Sequence, residues 1–144
     1  MLIKQMSVFV ENKAGRLADV TKLLADNNID IKAATMAEAV DFGILRCIVE
    51  EADVAAKILK VHGFIASTTE VLAIVLEDTV GGLDRVLQQL AAAGVNVNYI
   101  YSTIKAAADE AVIMMKVDDN DKAIEALQAN GIRLLCMNYL HKRF

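Results

Sequence analysis

The sequence is short of several residue types, and each shortage excludes a class of protein. It contains no proline, no tryptophan and two cysteines among 144 residues, which excludes a proline-rich linker and a disulfide framework. The net charge is only −4, with lysine and arginine scattered, which argues against nucleic acid and anionic membrane surfaces as partners. No apolar run approaches the ~18 residues of a membrane span, and the first ten residues lack the layout of a signal peptide. These absences predict a cytoplasmic protein.

What the chain does contain is a repeated turn in a hydrophobic sequence. Apolar residues make up 56% of the chain, and ENKAGRLADV (11–20) returns 66 positions later as EDTVGGLDRV (77–86), with Glu, Gly, Leu and Val at the same relative places. The match extends to the strand-like residues before the turn, and between Met36 and Phe42 the offset changes to 68. The length allows two small domains. We therefore predict two copies of one unit, at 1–70 and 71–144.

Each copy combines the periodicities of strands and helices. Residues 3–10 alternate as a half-buried strand does, and Leu17, Val20 and Leu24 follow the spacing of a helix stripe after the glycine. Two extended stretches follow at 29–36 and 42–49, and at 95–102 and 110–117 in the second copy. Helices with acidic starts and a glycine stop are predicted within 50–63 and 118–131, each followed by a closing strand. The predicted fold class is α+β, with two tandem ferredoxin-like βαββαβ units, antiparallel sheets and helices on one face.

Residues that could perform catalysis or bind metal form no recognisable motif. The acidic run DDND (118–121) lacks the glycine and the closing glutamate of a calcium loop and suits a helix start. Cys47 and Cys136 lie in apolar strands without Cys or His at ligand spacing, so both are expected to be buried structural thiols. No histidine has a visible nucleophile partner. The sequence predicts that the protein is not an enzyme and uses no metal and no cofactor.

The repeated glycine has two explanations. Glycine permits a positive φ, so Gly15 and Gly81 could do no more than make the turn. The first turn of the following helix, however, has unpaired N–H groups and a partial positive charge, which together attract a carboxylate. Asn12 adds a donor and an acceptor beside those amides. This combination suits a small zwitterion.

Around this turn the sequence resembles the ACT domains, which are small-molecule-sensing modules mostly attached to enzymes of amino-acid metabolism. NKAGRL (12–17) matches their Asn-x-x-Gly-x-Leu loop, and DTVGGL (78–83) matches it with Asp in place of Asn. GVNV (94–97) matches their hydrophobic-Asn-hydrophobic strand, and NIDI (28–31) matches it with Asp. Ala14 and Val80 replace the usual proline before the glycine. The resemblance covers nearly the whole chain as two copies.

The resemblance implies that two domains pair side by side and that an amino acid binds between the glycine loop of one domain and the second strand of its neighbour. Two different ligand sites follow. The first combines Asn12, Ala14, Gly15, Arg16 and Leu17 with Asn96 and Asn98. The second combines Asp78, Val80, Gly81, Gly82 and Leu83 with Asp30 and Lys32. We expect the second to bind more weakly, or to select a more cationic ligand, because its two aspartates repel a carboxylate unless Lys32 compensates.

The predicted function is a regulatory module that binds an amino acid or similar metabolite and acts on a partner enzyme of amino-acid or related metabolism. The alternative is a structural or protein-interaction module without a ligand. We also expect a homodimer formed through the sheet face opposite the helices, which would expose a contiguous apolar patch. The alternate strand residues on that face are Ser7, Phe9, Ile44, Arg46 and Ile48 in the first copy, and Ala73, Val75, Val112, Met114 and Lys116 in the second.

Overall fold

The computed structural model describes residues 1–103 and 110–143. The chain divides into two compact units. The first is Lys4–Thr69, and the second consists of Met1–Ile3 together with the chain from Glu70 onward.

The first unit has the predicted order of elements. Its strands and helices are β1 (Leu2–Glu11), α1 (Arg16–Asp26), β2 (Ile31–Glu38), β3 (Phe42–Val49), α2 (Ala52–Val61) and the first part of β4 (Ile65–Glu77). The strand order is β2-β3-β1-β4, with β3 antiparallel to both of its neighbours. The core forms between the sheet and the helices, where Val8 and Leu45 from paired strands meet Val20, Leu24 and Leu59.

The second unit repeats this arrangement with a shorter closing strand. It contains the rest of β4, then α3 (Gly82–Ala92), β5 (Val97–Ser102), β6 (Glu110–Val117), α4 (Asn120–Ala129), β7 (Leu134–Leu135) and α5 (Met137–Arg143). The strand order is β5-β6-β4, and β7 pairs with the other edge of β4. Its core includes Leu72, Ile74, Val86, Leu90 and Leu127. Both units therefore have the predicted ferredoxin-like fold.

The strands after the first helix of each unit begin later than predicted. The N–H of Ile29 donates to Leu24 O at 2.9 Å, and the N–H of Val95 donates to Leu90 O at 2.9 Å. These bonds close the helix end in the six-residue pattern of a Schellman motif. The left-handed residue that this motif requires is Gly94 in the second unit and Asn28, with φ 58°, in the first. The motif uses the residues that the sequence pattern predicts to start β2 and β5.

The predicted exposure of the sheet face opposite the helices is partly wrong. Phe9 on that face is 47% exposed, as expected. Ile48, Ala73, Val112 and Met114 are instead buried within the single chain. Period-two alternation places these residues on one face, but it carries no information on whether another segment covers that face. The exposed apolar surface is therefore smaller than predicted.

The two cysteines differ, which corrects the prediction that both are buried. Cys47 is buried in β3, and burial raises the pKa of its thiol to about 12, whereas Cys136 is exposed. Because the thiolate is the reactive form, we expect Ellman's reagent at pH 8 to modify Cys136 in the native protein and Cys47 only after unfolding. Cys136→Ser should abolish the native reaction. Two thiols reacting at equal rates in the folded protein would contradict this assignment.

Candidate functional site

The first glycine loop leaves part of a helix start uncovered. Gly15 precedes α1 with φ 88°, and an added Cβ at this position would meet no heavy atom within 4 Å. The N–H of Arg16 donates to Lys13 O at 3.3 Å, and that of Asp19 donates to Gly15 O at 2.9 Å. The amides of Leu17 and Ala18 are therefore the two that a ligand could use in this first turn.

The second glycine loop has the same backbone hydrogen bonds. The N–H of Gly82 donates to Thr79 O at 3.0 Å, and that of Arg85 donates to Gly81 O at 3.0 Å. Gly81 has φ 83°. Gly82 is required for a different reason, because an added Cβ would overlap the carbonyl oxygen of Glu77. The repeated sequence thus makes the same turn twice, with one extra steric demand in the second.

The side chains beside the first loop are arranged less simply than the motif implies. The backbone N–H of Asn12 donates to Asp41 O at 2.9 Å, which ties the loop to the turn between β2 and β3. The Arg16 side chain is 37% exposed: its guanidinium lies 4.9 Å from the centre of the Phe64 ring and its Nη1 is 3.0 Å from Asp19 Oδ2. Ala14 and Leu17 are exposed. Asn12 is exposed, and its side-chain Nδ2 donates to Val40 O at 3.5 Å.

In the second loop, Asp78 and Val80 are exposed, and Leu83 is half-buried.

The strand residues predicted to complete each site lie in the opposite unit from the loop they would serve. Asn96 and Asn98 belong to the second unit and have exposed side chains, while the backbone N–H of Asn96 donates to Asp118 Oδ1 at 3.0 Å. Asp30 and Lys32 belong to the first unit and form an ion pair of 2.7 Å. Lys32 thus has an acidic partner in its own unit.

A cavity that the sequence reasoning missed lies in the second unit. Its volume is about 420 Å³, and its walls come from the end of β4, the first half of α3, the start of β6 and the segment between α4 and β7. Gly82 is the predicted site residue that lines it, beside Arg85, Glu110 and Arg133. The repeat could have indicated this cavity, because smaller residues replace larger ones in the second copy: Gly82 corresponds to Arg16, and Ile132 corresponds to Phe64.

Asp53 has a shifted pKa but belongs to neither glycine loop and does not line the cavity. Hydrogen bonds from Lys4 and Thr68 hold the pKa of its carboxyl below the usual value. This cluster joins β1, β4 and the start of α2 in the first unit. It is an exposed structural contact, so its titration does not mark a functional site.

The described residues form no metal-type cluster and no membrane-spanning helix. Across 1–103 and 110–143, no three His, Cys, Asp or Glu side chains come together as a metal site would require. Within the same ranges, no helix has the length and apolar character needed to span a bilayer.

Two ferredoxin-like units, each with a glycine loop before its first helix, define a tandem of small α+β domains. The chain belongs to the ACT domain family: residues 1–142 match the family described as an ACT domain pair. No curated protein matches the chain.

Solved structures give the same fold. Protein BT0572 from Bacteroides thetaiotaomicron is 42% identical, with a TM-score of 0.91 over 99% of this chain and 97% of that one. The regulatory subunit of aspartate kinase from Thermus thermophilus, in its ligand-free form, is 17% identical with a TM-score of 0.66 over 89% and 93% of the two chains. The corresponding subunit from Thermus flavus is 14% identical with a TM-score of 0.62 over 90% and 93%.

Proposed function

We propose that this protein is a regulatory module in which two ACT domains, 1–70 and 71–144, bind a free amino acid and pass the signal to a partner enzyme. The observation that carries the proposal is the pair of identical glycine turns in a chain of this family. At Gly15 the missing side chain gives a ligand access to the amides of α1. We place the protein in the cytoplasm, where free amino acids and the enzymes that use them occur together.

The tighter of the two loop sites is proposed to be the first. The amides of Leu17 and Ala18 would bind the carboxylate, with Asn12, Ala14, Gly15 and Arg16 around them. Asn96 and Asn98 of a neighbouring ACT domain would complete the site, as the family resemblance implies. Their side chains are exposed, which supports this role.

The second loop site is proposed to be weak. Its residues Asp78, Val80, Gly81, Gly82 and Leu83 would face Asp30 and Lys32 of a neighbouring domain. Because Lys32 already pairs with Asp30, it offers little compensation for Asp78. Arg85, whose Nη1 lies 4.0 Å from the place of a Cβ on Gly81, is already bonded to Glu77 and Thr79. The carboxylates of Asp78 and Asp30 would therefore weaken the binding of a ligand carboxylate.

A thermal-shift screen against the twenty amino acids tests the proposal. A ligand that binds only the folded state at 100 times its Kd adds about 2.7 kcal/mol of stability. For a chain of this size we expect the melting temperature to rise by about 5–10 °C. If none of the twenty amino acids raises the melting temperature, the structural or protein-interaction module without a ligand becomes the better-supported function.

The side chain of Asn96 provides a milder test of the first loop site. Its backbone N–H already binds Asp118, so Asn96→Ala removes only the side-chain amide and preserves the turn. Loss of this hydrogen bond should weaken amino-acid binding by about 1–3 kcal/mol in titration calorimetry. Asn138→Ala, an exposed amide on α5 of the same unit that lines neither the loops nor the cavity, serves as the control. Unchanged affinity in Asn96→Ala would remove this residue from the site.

We also propose a homodimer that uses the exposed sheet face of the first unit. Phe9 is 47% exposed and Phe42 is 48% exposed there, and their strands are paired at neighbouring positions. Light scattering should give twice the chain mass of 15.6 kDa, and Phe9→Glu should give the monomer. Val61→Glu on α2, where the valine is 83% exposed, should leave the dimer intact. A monomeric wild-type protein at micromolar concentration would contradict the proposal.

A further inference from the structure

The two units differ in the side chains at two pairs of equivalent repeat positions. In the first unit the Arg16 guanidinium lies over the Phe64 ring, and its Nε is buried. The repeat places Gly82 where Arg16 stands and Ile132 where Phe64 stands, and both line the cavity of about 420 Å³. The second unit therefore has open space where the first has a stacked side chain.

The sequence of the second unit keeps this space open. A side chain at position 82 would begin with a Cβ that overlaps the Glu77 carbonyl oxygen. Ile132 lacks the ring that Phe64 provides at the equivalent position. The cavity volume falls within the range of roughly 300–1,000 Å³ that small-molecule sites occupy.

The polar wall carries two positive and two negative groups. Arg85 Nη2 lies 3.2 Å from Glu77 Oε2 and 3.3 Å from Thr79 Oγ1, and Arg133 Nη2 lies 2.6 Å from Glu110 Oε1. The arginine side chains are 57% and 48% exposed. Exposed ion pairs contribute little to stability, so a ligand can exchange with one partner at little cost. Each guanidinium also has five N–H donors for an incoming carboxylate.

The apolar wall completes the set of contacts. Leu76 and Val86 are 7% and 3% exposed and belong to the core of the second unit, and Ile132 packs against the same core. A ligand body placed on these side chains would be removed from water, which stabilises it in proportion to its apolar area.

We infer that this cavity binds a small molecule that carries a carboxylate, an ammonium group and an apolar body. The carboxylate binds Arg85 and Arg133, the ammonium binds Glu77 and Glu110, and the body lies on Ile132. The choice of an amino acid as ligand rests on the proposed function. The site itself is separate, because it is built from one unit and shares only Gly82 with the loop sites.

Backbone-amide NMR on the whole protein distinguishes binding in the cavity from binding at the first glycine loop. Each of the twenty amino acids is titrated, and the best binder is compared with its analogues lacking the amino or the carboxylate group. We expect shifts at Gly82, Val86 and Ile132, and binding about tenfold weaker or worse for either analogue. Shifts at Leu17 and Ala18 alone would overturn this inference and leave the loop proposal standing. Shifts at the cavity residues alone would support this inference and overturn the loop proposal. An absence of shifts would overturn both the cavity inference and the loop proposal.

Two variants test the cavity directly. Ile132→Phe places in the second unit the ring found at the same repeat position in the first. Arg85→Gln removes an exposed positive charge without altering the core. Both should weaken the cavity titration about tenfold or more. Lys122→Gln removes an equivalent charge from α4 outside the cavity and should have no effect. Wild-type affinity in Arg85→Gln and Ile132→Phe would overturn the inference, and Arg85→Gln decides alone if Ile132→Phe does not fold.

Discussion

Gly15→Val is expected to abolish binding at the first loop site. Valine would cover the amides of Leu17 and Ala18, which we propose to bind the ligand carboxylate. Two hydrogen bonds to a charged group are worth about 1.5–3 kcal/mol each, so the affinity should fall about 100-fold or more. Titration calorimetry and the ligand-induced change in melting temperature both measure this loss.

Gly63→Val is the matched control for the backbone strain that Gly15→Val introduces. Gly63 has φ 87°, nearly the same as Gly15 at 88°, and an added Cβ at either position meets no heavy atom within 4 Å. Gly63→Val should therefore lower the melting temperature of the unliganded protein about as much, because a β-branched residue at positive φ is strained at both places. It should not change the ligand-induced rise.

Gly81→Val identifies which loop is used. If the first loop is the tight site, this variant retains ligand binding. Binding that survives Gly15→Val and disappears in Gly81→Val would place the tight site in the second loop and reverse our assignment.

Leu24→Ala is expected to be the most destabilising of the substitutions considered. Leu24 on α1 is fully buried in the core of the first unit, and Leu90 on α3 is its repeat equivalent in the core of the second. Truncating a buried leucine to alanine costs about 2–5 kcal/mol, since it removes apolar burial and leaves a cavity. That is a large part of the roughly 5–15 kcal/mol by which a domain is stable. Urea unfolding of each variant measures the loss.

An exposed leucine on the same helix gives the comparison. Leu17 is 40% exposed, so Leu17→Ala should cost no more than about 1 kcal/mol. Leu90→Ala should resemble Leu24→Ala if the two repeats use equivalent core positions. A loss for Leu24→Ala as small as that for Leu17→Ala would contradict the assigned packing of α1.

The element order could be predicted because its signals are local. Leu17, Val20 and Leu24 lie on one face of α1 by helix spacing alone, and the glycine before them is required by a left-handed turn. The ends of the elements were less predictable. Residues between Ile65 and Glu77 form one strand in which the closing strand of the first repeat continues into the first strand of the second. No glycine or proline interrupts that stretch, so the extended backbone has no local reason to stop.

The last elements were not predicted as they occur. The closing strand of the second unit is only Leu134–Leu135, and the helix Met137–Arg143 follows it. Leu140 in that helix is fully buried. Its burial depends on residues distant in sequence, which the pattern of a seven-residue segment does not report.

The candidate site divides in the same way. The two glycine loops and the polar residues of the predicted sites could be found from the sequence, because the repeat and the family motif are written in consecutive positions. The cavity was not predicted, although the repeat puts Gly82 and Ile132 at the positions of Arg16 and Phe64, because open space depends on how distant segments pack.

The sequence by itself determined the tandem fold, the family and the position of both glycine turns, because periodicity and backbone conformation are properties of neighbouring residues. Only the tertiary structure decided that Cys136 is exposed, that Met114 and Val112 are buried, and that a cavity lies in the second unit. These features are set by packing between segments far apart in the chain. Two repeats with nearly the same local pattern can therefore differ in packing, as they do where Gly82 replaces Arg16 and Ile132 replaces Phe64.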